Sequence, residues 1–409
     1  MKKIIAAAYV LLYVLISVFL PGCAADGNAR MESVVWLSHN GCSATEEGYF
    51  FTDNESMLHF FDFRSKKTVY VCDKPECPHQ PAALSEPAHF TCNAQLPGNQ
   101  FAVYGEYIYY FYPIWYNKLE FRRRDIDGNN DCGLLQFRAQ NVPEAFFYQD
   151  KIFIKKEIYA SETFDPETGN EASLELVLSV IDLADNQETG IATFFADRGG
   201  IGAGNAFVIH DVADGKVSYY DEGLSGFYEY DIASQVAARS AKISGEKNPL
   251  RLAPFAYKEY AYGVTSSGGM HHMLKTSLIT EQEEIVLSTE KRILFIDYHT
   301  DNMIVMLATD ADCLKSADNE LYLYNTVTGE LRKLAHALIN TPAFAYPNCV
   351  TDNSIFVGLA VDDVEGSIGY SGSFETVYIT LDDLLAGRDT YTSVYFFYQE
   401  SSGEFTTIE

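Results

Sequence analysis

Three cysteines and a histidine sit close together in one stretch of this chain. They lie in Val71-Cys72-Asp73-Lys74-Pro75-Glu76-Cys77-Pro78-His79 and, after a spacer, in Thr91-Cys92-Asn93-Ala94. Three thiolates and one imidazole make a sufficient tetrahedral set for structural Zn²⁺. Cys72, Cys77, His79 and Cys92 are therefore the candidate metal ligands, and zinc is the cofactor they suggest. Pro75 and Pro78 would stiffen the loop and reduce the entropy lost on ordering it. His89 is a fifth candidate that can stand in for His79. The spacing differs from that of common zinc fingers. Disulfides and free thiols remain open as alternative states, since oxidising compartments permit bridges.

Other chemistry-bearing stretches read more simply. Asp125-Ile126-Asp127-Gly128-Asn129-Asn130-Asp131 alternates carboxylates as a calcium loop would. Its glycine stands at position four rather than six, and position twelve is Gln136 rather than Glu. Asp-Gly between two strands is a strong hairpin signal, so a turn is expected there. Asp197-Arg198-Gly199-Gly200-Ile201-Gly202-Ala203-Gly204 lacks the G-x-G-x-x-G order and reads as an inter-repeat loop. No G-x-S-x-G elbow occurs. Gly366 to Ser373 has loop composition, and none of its serines is singled out as a nucleophile. His271 and His272 are adjacent, so on a strand they face opposite sides; one is expected buried and the other exposed. His210, His299 and His336 are isolated. Arg122-Arg123-Arg124 is the one basic run, and internal carboxylates are its expected partners. No residue is assigned a catalytic role.

The elements that must carry these residues repeat. Seven times a turn residue leads into a short aromatic or aliphatic strand, and a second alternating strand ending in Asp or Asn follows. The first strands start at Gly48, Gly105, Asp150, Gly215, Lys258, Asp301 and Asp352. Their partners include Leu58–Asp62, Leu119–Asp125, Gly226–Asp231 and Glu320–Asn325. A spacing of about 43 to 65 residues fits a four-stranded propeller blade with loops. The chain has 47% hydrophobic residues and carries 28 Tyr and 27 Phe but only 2 Trp, which suits strands and a large core. The expectation is an all-β propeller over residues 34–409, most simply seven-bladed, with six or eight blades or two stacked β-sandwiches as rivals. The stretch Thr163 to Asn170 is read as a projecting loop. Leu381 to Gly387 is read as a short helix ending at its glycine. Val34-Val35-Trp36-Leu37 is expected to close the ring against Val394–Phe397 or Glu404–Ile408.

The N-terminus gives an address. Met1-Lys2-Lys3 is a positive n-region, Ile4 to Phe19 is almost wholly apolar, and Leu20-Pro21-Gly22-Cys23 closes the run with small residues. This is the layout of a secretory signal. Leu-x-Gly-Cys resembles the lipobox of bacterial lipoproteins. That resemblance implies a signal peptide at 1–22, lipidation of Cys23, a tether over 23–33, and a chain held on the outer face of the cell membrane by its acyl anchor. With Cys23 so used, seven of the 8 cysteines remain, and at least one stays out of any disulfide. The formal net charge of −28, from 57 acidic and 29 basic residues, repels phosphate backbones, so no nucleic-acid partner is expected.

The run from Gly48-Tyr49-Phe50-Phe51 through Leu58-His59-Phe60-Phe61-Asp62 to Cys72, Cys77-Pro78-His79 and Cys92-Asn93-Ala94 resembles uncharacterised propeller lipoproteins of anaerobic Gram-positive bacteria. Those share a lipobox, an aromatic first blade and a Cys…Cys-x-His…Cys loop after it. The motif resemblance covers about residues 1 to 95, and the spacer between His79 and Cys92 is longer here. The family implies no reaction. A Tyr-rich funnel suits a sugar ring or a peptide. The expected function is therefore non-catalytic binding or scaffolding of a cell-surface glycan or protein. The alternatives are an accessory subunit of an envelope complex and an extracellular glycan hydrolase or lyase using funnel carboxylates.

Overall fold

The computed structural model describes residues 34–37, 41–53, 55–82, 91–115, 118–139, 141–159, 174–196, 206–243, 255–297, 301–308, 320–334, 345–350, 353–360, 372–399 and 405–407. Among the described residues the first strand, β1 (Val35–Trp36), stands apart from its neighbours in sequence. Blade 1 follows with β2 (Cys42–Ala44), β3 (Gly48–Thr52), β4 (Leu58–Asp62) and β5 (Lys67–Tyr70). Blade 2 holds β6 (Phe101–Tyr104), β7 (Tyr107–Trp115), β8 (Lys118–Asp125) and β9 (Cys132–Arg138). Blade 3 holds β10 (Glu144–Tyr148), β11 (Lys151–Tyr159), β12 (Leu174–Asp182) and β13 (Gln187–Ala196). Blade 4 holds β14 (Phe207–Ala213), β15 (Lys216–Asp221), β16 (Gly226–Asp231) and β17 (Val236–Arg239). Blade 5 holds β18 (Phe255–Tyr257), β19 (Tyr260–Ser267), β20 (Met270–Ser277) and β21 (Glu283–Thr289). Blade 6 holds β22 (Arg292–Asp297), β23 (Asn302–Ala308), β24 (Glu320–Asn325) and β25 (Leu331–Lys333). Blade 7 holds β26 (Ala345–Val350), β27 (Ser354–Ala360), β28 (Gly372–Thr380), β29 (Thr392–Gln399) and β30 (Phe405–Thr407), with helix α1 (Leu381–Ala386) after β28.

Each sheet is antiparallel, and all but that of blade 3, which has β1 at its edge, meander in sequence order. The first strands of neighbouring blades adjoin: β2 against β6, β14 against β18, β22 against β26, and β26 against β2. The ring is thus closed, and the fold is an all-β seven-bladed propeller. Each blade has two apolar faces and buries both against neighbours. The core is accordingly a series of clusters, each drawn from two adjacent blades. Tyr104, Tyr109 and Phe121 of blade 2 pack with Phe147 and Ile152 of blade 3. Ile304 and Leu323 of blade 6 pack with Ile355 and Val377 of blade 7.

The seven strand pairs legible in the sequence are the second and third strands of each blade. Those strands pair on both edges and pack on both faces, so their alternation is long and aromatic. The inner strands vary in length, β2 and β18 having 3 residues each and β14 having 7. The outer strands are largely solvent-facing: all four residues of β17 are exposed.

The ring does not close as expected. β1 pairs antiparallel with β10 of blade 3, with Val35 opposite Phe147 and Trp36 opposite Phe146. Leu37 N–H donates to Ala145 O at 2.8 Å. Blade 7 takes β29 and β30 from its own segment, and β29 is paired on both sides within the blade. The open inner edge of β10 receives it instead, and Trp36 packs on Phe146 at 4.9 Å. Closure between blades 7 and 1 rests on side chains. Tyr49 stacks on Phe356 at 3.5 Å between ring centroids. Thr68 Oγ1 donates to Val394 O at 2.5 Å. Lys66 Nζ lies over the Tyr378 ring at 4.3 Å.

Smaller expectations fare differently. α1 forms where the sequence places it: Thr380 Oγ1 accepts from Asp383 N–H, and Gly387 ends the helix with φ of 63°. Asp125 to Asp131 is the β8–β9 turn, with Asp127 Oδ1 accepting from Asn129 N–H at 2.9 Å. Arg122 pairs with Glu120 and Asp131, and Arg124 with Asp131, while Arg123 lies over the Tyr107 ring at 4.1 Å. The expectation for His271 and His272 is corrected: both are half-buried, because serines meet both rings. Ser266 Oγ lies 2.8 Å from His271 Nδ1, and Ser288 Oγ lies 2.8 Å from His272 Nδ1. Residues 1–33, the stretches around Thr163 to Asn170 and Asp197 to Gly204, and His89, His299, His336 and Cys313 lie outside the described residues.

Candidate metal centre

The candidate ligands sit on the loop from the end of β5 to the start of β6. Local chemistry shapes each part of it. Val71 N–H donates to Leu58 O at 2.9 Å, so the chain leaves β5 still held to β4. Lys74-Pro75-Glu76-Cys77 then forms a turn closed by Cys77 N–H to Lys74 O at 3.1 Å. Pro75 takes the second turn position, where its fixed φ fits. Pro78 leads into His79, whose φ of 50° places it in the left-handed region. A non-glycine residue held there is under local strain of order 1 kcal/mol or more, and such strain gathers at functional sites. Cys92 opens a second turn, with Gln95 N–H donating to its carbonyl at 3.2 Å.

Gln95 holds the two halves of the loop together. Its amide accepts from Ala82 N–H at 2.9 Å and donates to Ala82 O at 2.6 Å. Lys74 Nζ spans the loop as well, donating to Thr91 O at 2.6 Å. Beneath the ligands Cys92, Met57 and Ala94 form a small apolar floor against Tyr70.

The result is a cluster. One ligand atom from each of Cys72, Cys77, His79 and Cys92 lies within 4.8 Å of the others. Cys92 Sγ and His79 Nδ1 are 3.5 Å apart. A zinc ion bound at about 2.3 Å to sulfur and 2.0 Å to nitrogen has a tetrahedral S···N edge of about 3.5 Å. The four residues can therefore hold a metal ion, and as a closed four-ligand set they match a structural rather than a catalytic site.

The thiols are poised unequally. Burial acts to raise Cys72, but the N–H groups of Lys74 and Asn93 outweigh it and hold this thiol below its ordinary value. Burial pushes Cys92 up to about 12, and a bound cation would favour its thiolate. Ala94 N–H already points at Cys92 Sγ at 3.4 Å. Cys72, Cys77 and Cys92 are unbridged, whereas Cys132 at the start of β9 is disulfide-bonded.

The imidazole is held from behind. The His79 ring stacks on Tyr70 at 4.5 Å, and Tyr70 packs against His59 at 4.4 Å. His59 is 2% exposed, and its Nε2 meets Asp53 Oδ2 at 3.0 Å. Tyr395 of blade 7 donates to the same oxygen at 3.3 Å. A stack of rings thus joins the cluster to the seam between blades 1 and 7. On the outer side an open depression lined by Lys74, Pro75, Glu76, Pro78 and Thr91 reaches Cys77.

The four ligands were readable from their types and spacing. Their supports were not. Arg124 lies in β8, yet its Nη1 donates to Asn93 O at 2.5 Å and Gln95 O at 3.2 Å, just after Cys92. Only the placement of blade 2 beside blade 1 brings them together, and nothing local in the sequence marks that.

The chain matches no protein-family model and no curated protein. Solved structures with a similar fold include the β-propeller domain of the Trilobed protease from Pyrococcus furiosus, described as having an open velcro topology. It is 11% identical, with 75% of this chain and 95% of that one covered and a TM-score of 0.39. An oligogalacturonate lyase in complex with manganese is 11% identical, with 79% and 82% covered and a TM-score of 0.39. The acylaminoacyl peptidase of Pyrococcus horikoshii is 13% identical, with 86% and 52% covered and a TM-score of 0.41.

Proposed function

We propose that this chain is a lipid-anchored extracytoplasmic protein whose propeller binds or scaffolds a cell-surface glycan or protein without catalysis, and that Cys72, Cys77, His79 and Cys92 hold a structural zinc ion. The observation that carries the metal reading is the convergence of three unbridged thiols and one imidazole within 4.8 Å. A closed four-ligand set leaves no position for a substrate, so its work is to fix the chain. The loop it would fix links the outer strand of blade 1 to the inner strand of blade 2. The anchor reading rests on Met1-Lys2-Lys3, the apolar run and Leu20-Pro21-Gly22-Cys23.

Elemental analysis of the full chain, purified in detergent with zinc supplied, tests the metal. One zinc per chain, lost in Cys77→Ser, supports the reading; wild-type protein without zinc overturns it. Labelling cells with a fatty-acid analogue tests the anchor. Label on the wild type that is absent from Cys23→Ala is the expected result. Equal labelling of both would refute the anchor.

A further inference from the structure

Blade 2 reaches across to the ligand loop of blade 1 at one point more than Arg124 explains. The β8–β9 turn carries Asn129, whose side-chain amide sits between the two arms of the loop. Its Nδ2 donates to Asp73 Oδ2 at 2.6 Å, and its Oδ1 accepts from Asn93 Nδ2 at 2.8 Å. Asp73 directly follows Cys72, and Asn93 directly follows Cys92. One amide therefore ties together the residues next to two of the four candidate ligands.

The turn itself is rigid. Asn129 N–H is held by Asp127 Oδ1, and Asn129 O accepts from Asp125 N–H at 2.9 Å. The approach is also close. Gly128 has φ of 87°, and a Cβ placed on it would lie 2.7 Å from Val71 O and 2.9 Å from Asn93 Cβ. Only glycine allows the turn to press on the loop backbone this tightly. Arg124, 4% exposed, gives the same approach a second contact from β8. Its other nitrogen donates to Tyr110 Oη at 2.8 Å and Asp131 Oδ2 at 3.1 Å, so it is fixed within blade 2.

We propose that Asn129 is a positioning residue for the Cys72, Cys77, His79 and Cys92 metal site, so that the site is complete only when blade 2 is docked on blade 1. This rests on the metal reading above. Gln95 and Lys74 tie the two cysteine arms at Ala82 and Thr91, and Asn129 ties them again beside Cys72 and Cys92. An amide bonded to both fixes the separation of Cys72 and Cys92 before the ion arrives. Groups that orient ligands in this way typically change metal affinity about 10–100-fold when removed.

The test compares zinc affinity of full-length variants by competition with a chelating dye, and the thiolate-to-metal absorption band of their cobalt forms. Asn129→Ala is expected to bind about 10–100-fold more weakly with an altered cobalt band. Asn130→Gly lies in the same turn, but its native side chain bonds only Asp125, at 2.6 Å. It is expected to bind as the wild type does. Asp73→Asn keeps an acceptor for the Asn129 amide and should retain near wild-type affinity, whereas Asp73→Ala should match Asn129→Ala. The Asp73 pair carries the same test should Asn129→Ala not fold. Wild-type affinity in Asn129→Ala and Asp73→Ala overturns the positioning role while leaving the metal site standing. A wild-type protein that binds neither zinc nor cobalt overturns the metal reading itself.

Discussion

Two neighbouring seams of the ring face the same task with different chemistry. Between blades 7 and 1, aromatic faces meet: Tyr49 lies on Phe356, and Phe61 and Tyr378 close around them. Between blades 1 and 2, the inner part is apolar, but the outer part is a polar clasp of Arg124, Gln95 and the cysteine loop. Among the described residues no strand pairing crosses the first seam, since blades 1 and 7 are each built from their own run of chain. The second is crossed by the chain itself. A seam without a crossing chain needs large apolar burial and ring stacking, whose strength depends on contact area. A seam with a crossing loop can instead be fastened by ordering that loop, at the risk that buried polar groups lose their partners.

The largest effect should come from the seam that relies on area. Tyr49→Ala removes a fully buried ring and its stack on Phe356, and should lower unfolding free energy by about 3–5 kcal/mol in denaturant titrations. A loss under about 1 kcal/mol would show that this seam does not carry ring closure. A third seam, between blades 4 and 5, sharpens the contrast through pH. His210 in β14 is buried, with Nδ1 2.8 Å from Lys258 O. Burial lowers its pKa to about 4. The folded state therefore resists protonation that the unfolded chain accepts near pH 6.5. This contribution is fully present above about pH 6.5 and is lost as pH falls through about 4, amounting to roughly 3 kcal/mol across that window. Unfolding of wild type and His210→Asn, measured from pH 7 to 4, should show the steeper loss of stability in the wild type. The smallest effect is a single hydrogen bond at the aromatic seam. Thr68→Val removes the donor to Val394 O and should cost about 1 kcal/mol. A much larger loss would mean that polar contacts matter there as much as rings.

The sequence carried the blade count because the middle strands of every blade alternate strongly, as Tyr107 to Tyr110 and Glu320 to Asn325 do. It carried the ligand set because cysteine and histidine are scarce residues whose clustering stands out. It did not carry the partner of Val35 and Trp36. A two-residue apolar strand fits many edges, and only the assembled ring shows that it takes the edge of β10. Nor did it reveal Arg124 or Asn129, which are ordinary strand and turn residues until a neighbouring blade is beside them. The paired serines around His271 and His272 were missed for the same reason, since Ser288 comes from the next strand.

The pairing of β1 with β10 has a mechanical consequence. The chain ahead of residue 34 joins β1 at the end where Tyr148 and the Gln149–Asp150 turn lie, because the two strands run antiparallel. A pull on the N-terminus along the strand direction loads the β1–β10 bonds together, in shear, instead of parting them one at a time. Trp36 wedged on Phe146 adds friction to the same joint. Such a pull is delivered to blade 3 before it reaches blade 1, the first blade in the chain, so blade 1 is shielded from being peeled off the ring.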